Sequence, residues 1–203
     1  MTTTTSIDIL AALKNRRSIY GISKDVNLSN NRLETLLKDI VKYTPSAFNS
    51  QTTRLVLLLG LHHDKLWDIT TDVLRAVVPE ANFGSTAKKM ASFKDGHGTV
   101  LFFEDQSIVE SLQEQFPSYQ ENFPIWSQHT NAMHQLMVWI TLENEGLGAS
   151  LQHYNPLIDE RVKDHWQLPE TWKLIAQMPF GQITQQPGEK EFQGLDHRVK
   201  TFS

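Results

Sequence analysis

Over residues 132–142 the chain is apolar at Ala132, Met133, Leu136, Met137, Val138, Trp139, Ile140 and Leu142. These positions point in nearly every direction around a 3.6-residue period, so they predict a helix buried on most sides. Glu143, Asn144 and Glu145 break the pattern, and Gly146 stands where a left-handed C-terminal cap is required. Gly148, Ala149 and Ser150 follow, then Leu151, Gln152, His153, Tyr154, Asn155 and Pro156. A buried helix that stops at glycine and runs on through small residues brings backbone close to a neighbour. That neighbour is either a packed strand or a flat cofactor, and the pattern alone leaves both open.

The other periodicities divide the chain into helices and short strands. Ile9, Leu10 and Leu13 predict a helix over 7–15, with Ser6 as its N-cap and Asp8 in its first turn. Leu33, Leu36, Leu37, Ile40 and Val41 form the stripe of a second helix over 29–43, capped by Ser29 or Asn30. The polar turn Thr44-Pro45-Ser46-Ala47-Phe48-Asn49-Ser50-Gln51 leads to an apolar run at 55–59 with the length of a buried strand. Residues 65–77 read as a helix stopped before Pro79, and 80–98 as less regular because of glycines at 84, 96 and 98. The run 99–103 predicts a central strand, ended by Glu104-Asp105. After a helix over 107–115, residues 116–126 carry Pro117, Pro124 and four aromatics, an irregular segment expected to cover a pocket or a partner. A short helix over 159–166, a strand over 172–177 closing at Met178-Pro179-Phe180-Gly181, and a polar tail over 185–196 complete the pattern.

Composition narrows the class. The 203 residues show no repeat and no linker, which suits one domain, 1–203, with a sizeable core. A net charge of −4 supplies no basic surplus for neutralising phosphates, which argues against a dedicated nucleic-acid binder. The chain has no cysteine, hence no disulfide, thiolate metal site or thiol nucleophile. The threonine-rich start lacks the marks of a secretory signal, and the apolar run at 55–61 falls far short of spanning a bilayer. The expectation is a soluble cytoplasmic protein with neither membrane nor nucleic-acid partner.

Candidate chemistry is sparse. Arg16-Arg17-Ser18 at the end of the first helix suits an anion such as phosphate, or merely complements the helix dipole. There is no dinucleotide fingerprint after a strand, no phosphate-cradling Gly-to-Lys-Ser/Thr loop, and no Gly-x-Ser-x-Gly elbow. His129 and His134 lie off one helical face, and His62 and His63 are adjacent in an expected loop, so neither pair is a metal signature. Glu143 with Glu145, and Glu104 with Asp105, stand at element ends where solvated charge is the ordinary explanation. Composition and spacing stop at an α+β domain with a candidate anion site.

Three separated segments go further as an ordered set. Arg16-Arg17-Ser18, then Pro45-Ser46-Ala47-Phe48-Asn49-Ser50-Gln51, then Gly146-Leu147-Gly148-Ala149-Ser150, with a basic pair near the C-terminus, resemble the nitroreductase family of flavin enzymes. The form is most similar to the short nitroreductases of fungi and some Gram-positive bacteria. The resemblance implies an α+β nitroreductase-like fold, with a mixed central sheet flanked by helices, and an intertwined homodimer holding FMN at its interface. By position it assigns Arg16 to the flavin pyrimidine or ribityl and Arg17 and Ser18 to the phosphate. Ser46, Ala47, Asn49 and Gln51 would approach from the other subunit. His153, Tyr154 and Asn155 would pass the reactive edge of the ring, and Arg198 and Lys200 match the family's C-terminal phosphate pair. Tyr20 departs from the pattern, standing where many relatives carry a second basic residue.

The implied activity is NAD(P)H-dependent reduction of nitroaromatics, quinones or similar small aromatic acceptors by ping-pong hydride transfer. The flavin carries the chemistry, so no catalytic side chain is expected. Phe48, Phe83, Phe116, Tyr119, Phe123 and Trp126 are candidates for lining the acceptor pocket, or for core. The rival readings are a flavin-binding regulatory or storage protein with little turnover, and an interaction domain whose arginines are surface charge.

Overall fold

The computed structural model describes residues 8–202. In chain order the elements are α1 (Ile9–Asn15), β1 (Gly21–Ser23), α2 (Asn30–Tyr43), β2 (Thr53–Leu59), α3 (Leu61–Val77), α4 (Glu80–Lys94), β3 (Gly98–Asp105), α5 (Gln106–Gln115), α6 (Asn122–Asn144), β4 (Leu147–Ala149), α7 (Asp159–Trp166) and β5 (Trp172–Gln185). The sheet runs β1-β5-β3-β2, and β4 also pairs with β5. Its ladders are antiparallel. Among the described residues parallel pairing comes down to an isolated bridge between Ser18 and Ala149, so the mixed sheet expected of this fold is antiparallel in its described strands.

Alternation along β3 builds two cores. Val100 and Phe102 face α2 and α6, packing with Leu33, Ile40, Val138 and Leu142. Leu101 and Phe103 face α3, α4 and α7, packing with Leu66, Trp67, Phe93 and Val162. All eight residues of β3 are buried, as befits a strand covered on both faces. Glu104 and Asp105 share that burial, contrary to the solvated ends expected of them. Glu104 Oε1 accepts from Thr53 Oγ1 at 2.5 Å and from Asn131 Nδ2 at 2.8 Å, so it ties β2 and α6 to β3. Asp105 faces Arg54 and caps α5.

Tertiary packing extends several elements past their local signals. Residues 80–94 form α4 despite Gly84, because buried Met90 and Phe93 anchor the helix and outweigh the roughly 1 kcal/mol that glycine costs there. The irregular segment expected over 116–126 shrinks to a 3-10 turn, Pro117–Tyr119, and α6 already begins at Asn122. Pro124 lies in its first turn, where a missing N–H costs nothing. β5 continues to Gln185 because β1 and β4 pair with its second half. Pro179 fits within it: its carbonyl accepts from Ser150 N–H at 3.3 Å, so the missing donor falls on that side and leaves the β3 ladder intact. His63, expected in a loop, lies in the first turn of α3, fully buried, with Nδ1 2.9 Å from Thr99 Oγ1 and Nε2 3.2 Å from Lys94 O.

Two apolar faces stay open. α1 is capped by Asp8, whose carboxylate accepts from Leu10 and Ala11; the expected cap Ser6 lies outside the described residues. Only Ala12 of α1 is buried, while Ile9, Leu10 and Leu13 are exposed. α6 buries Val138, Ile140 and Leu142, yet Met133, Leu136 and Met137 remain 39, 41 and 36% exposed, so this helix is covered on fewer sides than its sequence predicts. Among the described residues no helix is long and apolar enough to cross a membrane.

Candidate functional site

The end of α1, the end of α6 and β4 converge. The Arg16 guanidinium lies over the Trp139 ring, 4.3 Å from its centroid. Stacking occupies the flat face and leaves the in-plane N–H groups free for an anion. Arg17 Nη2 donates to Gly188 O at 2.7 Å. Ser18 bridges to Ala149, whose carbonyl accepts from Ile19 N–H (2.9 Å) and Trp139 Nε1–H (3.2 Å). Two arginines and a serine hydroxyl are thus held beside one buried strand end. Gly146 adopts the expected left-handed conformation, with φ +80°. At Gly148 a Cβ would stand 2.6 Å from Ile19 Cγ2 and 3.0 Å from Ile183 Cγ1, so strand packing alone requires the glycine.

The run beyond β4 is fixed by Gln177, which is fully buried. Gln152 and Gln177 exchange backbone hydrogen bonds of 2.7 and 2.9 Å. Tyr154 N–H donates to Gln177 Oε1 (2.7 Å), and Gln177 Nε2 donates to Asn155 Oδ1 (3.3 Å). His153 is exposed, whereas the Tyr154 ring turns inward, edge-on to Trp67 at 5.9 Å. Burial, and then the neighbouring Tyr20, push the Tyr154 phenol up to about 12.

The loop before β2 holds an unusual backbone. Phe48, Asn49 and Gln51 all have positive φ, at 58, 51 and 50°. Ser46 Oγ accepts from Gln51 N–H at 3.0 Å, and Gln51 Nε2 donates to Asn49 O at 3.3 Å, around the short turn Ala47–Asn49. Arg54 braces the loop: Nη1 donates to Gln51 O at 2.7 Å while Nη2 meets Asp105 Oδ2 at 3.1 Å. Burial by itself would raise the Asp105 carboxyl. Hydrogen bonds from Ser107 and Thr171, with the Arg54 charge, outweigh that and hold it below the usual range. Phe48 gathers Phe116, Tyr119, Phe123 and Trp126 around it. Phe83, expected with them, instead packs under Arg75, 4.2 Å from the guanidinium.

The expected cofactor residues therefore fall into separate groups. Phe48 touches Trp126, near the start of α6, and Arg16 stacks on Trp139, thirteen positions later. At 1.5 Å per residue that is about 20 Å along the helix. Arg198 and Lys200 lie in the tail, which turns where Arg198 and Val199 N–H donate to Leu195 O. Their side chains are exposed. Arg54, which holds the 45–51 loop, and Gln177, which holds the 152–155 run, are absent from the expected set. Arg54 adjoins the 45–51 motif but carries a strand-like pattern, and Gln177 is one amide among many in the sequence.

The fold and this arrangement define a helix-flanked antiparallel sheet with an arginine pair set beside β4 and the C-terminal end of α6. A model of the Nitroreductase family matches residues 13–182, and the chain belongs to that family. It is an oxidoreductase. HBN1 of Saccharomyces cerevisiae is 36% identical over 197 residues, 96% of each chain. Nitroreductase CinD of Lactococcus lactis, solved with nicotinic acid, superposes with a TM-score of 0.90 at 44% identity, covering 96% of this chain and all of that one. The same protein solved with 4-nitrophenol gives a TM-score of 0.88 at 43% identity over the same share of both chains.

Proposed function

We propose that the chain is an FMN-dependent oxidoreductase, acting as a homodimer, that takes hydride from NAD(P)H and delivers it to nitroaromatics, quinones or similar electron-poor acceptors. One observation carries this reading. The two halves of the cofactor set lie about 20 Å apart along α6, while α1 and α6 leave apolar faces uncovered. Two chains packed through those faces would bring the loop of one to the arginines of the other. CinD binds nicotinic acid and 4-nitrophenol, flat rings of the size expected of acceptors here.

The donor set fits FMN. A dianionic phosphate needs several cations, and Arg16, Arg17, Arg198 and Lys200 supply four, with Ser18 as a short hydroxyl donor. Ser46, Ala47, Asn49 and Gln51 would reach the flavin from the partner, and the braced backbone of His153, Tyr154 and Asn155 would pass its reactive edge. FMN, when bound, supplies the redox chemistry. The chain's residues bind, orient and exclude water, and one shared pocket for donor and acceptor makes the kinetics ping-pong.

Purified protein should be yellow and should oxidise NAD(P)H when a quinone is added. A colourless protein that takes up no FMN would overturn the cofactor assignment. Bound flavin without turnover would leave a flavin carrier rather than an enzyme, and a monomer that keeps FMN at nanomolar concentration would overturn the shared site.

A further inference from the structure

The cleft between the C-terminal end of α1 and the tail carries more positive charge than one FMN phosphate needs. It has a volume of about 410 Å³; Lys14, Arg16 and Arg17 line it from α1 and its exit, Lys190 and Phe192 from the tail. The bond from Arg17 to Gly188 O fixes the tail beside α1. From there alternate residues face the cleft: Lys190 and Phe192 line it, whereas Glu189 and Glu191 do not. Lys190 Nζ lies 5.2 Å from the centroid of the Phe192 ring, which is 78% exposed, so one face carries a cation and the other is open. Among the described residues no carboxylate lines the cleft, and neither lysine pairs with one. Arg16, Arg17, Arg198 and Lys200 already offer four cations to one dianion. Lys14 and Lys190 bring the total to six of the 19 lysines and arginines, in a chain whose net charge is −4.

We propose that this cleft receives the adenosine end of NADPH, that Lys14 and Lys190 hold its 2′-phosphate, and that the enzyme therefore prefers NADPH to NADH. This rests on the flavoenzyme reading above. The two dinucleotides differ only in that phosphate, a second dianion to match the two further cations. The open face of Phe192 suits a purine, because every base has a π face that stacks on an aromatic ring. The lysines thus discriminate between the two donors, while Phe192 serves both alike.

The test titrates the holoenzyme with adenosine 2′,5′-bisphosphate and with 5′-AMP, which lacks the 2′-phosphate, and repeats both with Lys14→Gln, Lys190→Gln and Phe192→Ala. Calorimetry should show the bisphosphate binding about ten-fold more tightly than 5′-AMP, and each glutamine variant should remove about three- to five-fold of that margin. The ratio of kcat/KM for NADPH to that for NADH should fall by the same factor. Phe192→Ala should weaken both probes alike, by about two- to ten-fold, without moving that ratio. Equal affinity for the two probes, an equal loss of both in the glutamine variants, or bisphosphate binding no tighter than that of inorganic phosphate would overturn the proposal. So would a loss of FMN affinity in those variants as large as their loss of bisphosphate affinity, which would make the lysines part of the FMN phosphate site. Absence of flavin from the unsubstituted protein would instead defeat the cofactor reading. Lysine-dependent binding of the bisphosphate by such a protein would still support the nucleotide cleft, and no binding would overturn it.

Discussion

Replacing Arg54 with methionine tests how the loop before β2 is held. The substitution keeps a stem that can pack towards Trp172, whose ring centroid is 6.0 Å from the guanidinium. It removes the hydrogen bond to Gln51 O and the pair with Asp105. Three non-glycine residues in four positions carry positive φ, and at about 1 kcal/mol each they store some 3 kcal/mol. The exposed bond to Gln51 O and the part-buried pair with Asp105 together contribute about 1.5–3 kcal/mol, comparable with the stored strain. Asp105 keeps its bonds to Ser107, so the carboxylate is not stranded. Arg54→Met should therefore cost about 2–3 kcal/mol, felt first as local opening of the loop. The Gln51 amide, which donates to Ser46 Oγ, should exchange with solvent about 30- to 100-fold faster. The α6 amides should keep their protection relative to global stability. Because Asp105 is held below its ordinary value near 4, the brace is fully present above that pH and is lost as the carboxyl protonates on further acidification. Unchanged Gln51 exchange in the variant would refute the idea that Arg54 holds the loop.

Gly148→Ala should lower stability by about 1–3 kcal/mol through its clash with Ile19 and Ile183, read as a lower urea midpoint at constant slope. Arg16→Ala should weaken FMN binding by about ten- to a hundred-fold, the loss of one charge-assisted contact; titration of the apoprotein with FMN decides it. Burial lowers His63 to about 4, so the folded protein keeps it neutral while the unfolded chain takes up a proton below about 6.5. Stability should fall by about 3 kcal/mol between pH 6.5 and 4 on this account, and His63→Gln should flatten that slope in urea unfolding at pH 5 and 7.5.

Much of the scaffold was legible because local and tertiary signals agree. α7 matches its predicted bounds, and the apolar stripe of α2 lies where its period puts it. Legibility failed where a distant partner decides the outcome. Nothing within 80–98 announces a helix anchored on Trp67, and the second half of β5 is a strand only because β1 and β4 reach it. Burial of Glu104 depends on Asn131, 27 positions away, which no local pattern encodes. At the candidate site, residue types were readable but their grouping was not. The arginine pair and the 45–51 motif stand out in the sequence, whereas their separation along α6 and the bracing by Arg54 and Gln177 emerge only in three dimensions. The small residues after α6 allowed two readings, and Ile19 against Gly148 favours strand packing at that position.

The strand made last occupies the middle of the sheet. β5 pairs with β1, β3 and β4, so while the chain is being synthesised only the β2–β3 pair can zip, across the two helices that separate its strands. β1 emerges more than 150 residues before the segment that completes it. Closing such long-range pairs late slows folding and leaves the edge of β3 open for as long as translation continues. A ribosome stalled before Trp172 therefore carries one strand pair, unpaired strands and helices whose apolar faces are only partly covered, the kind of nascent chain that holding chaperones bind.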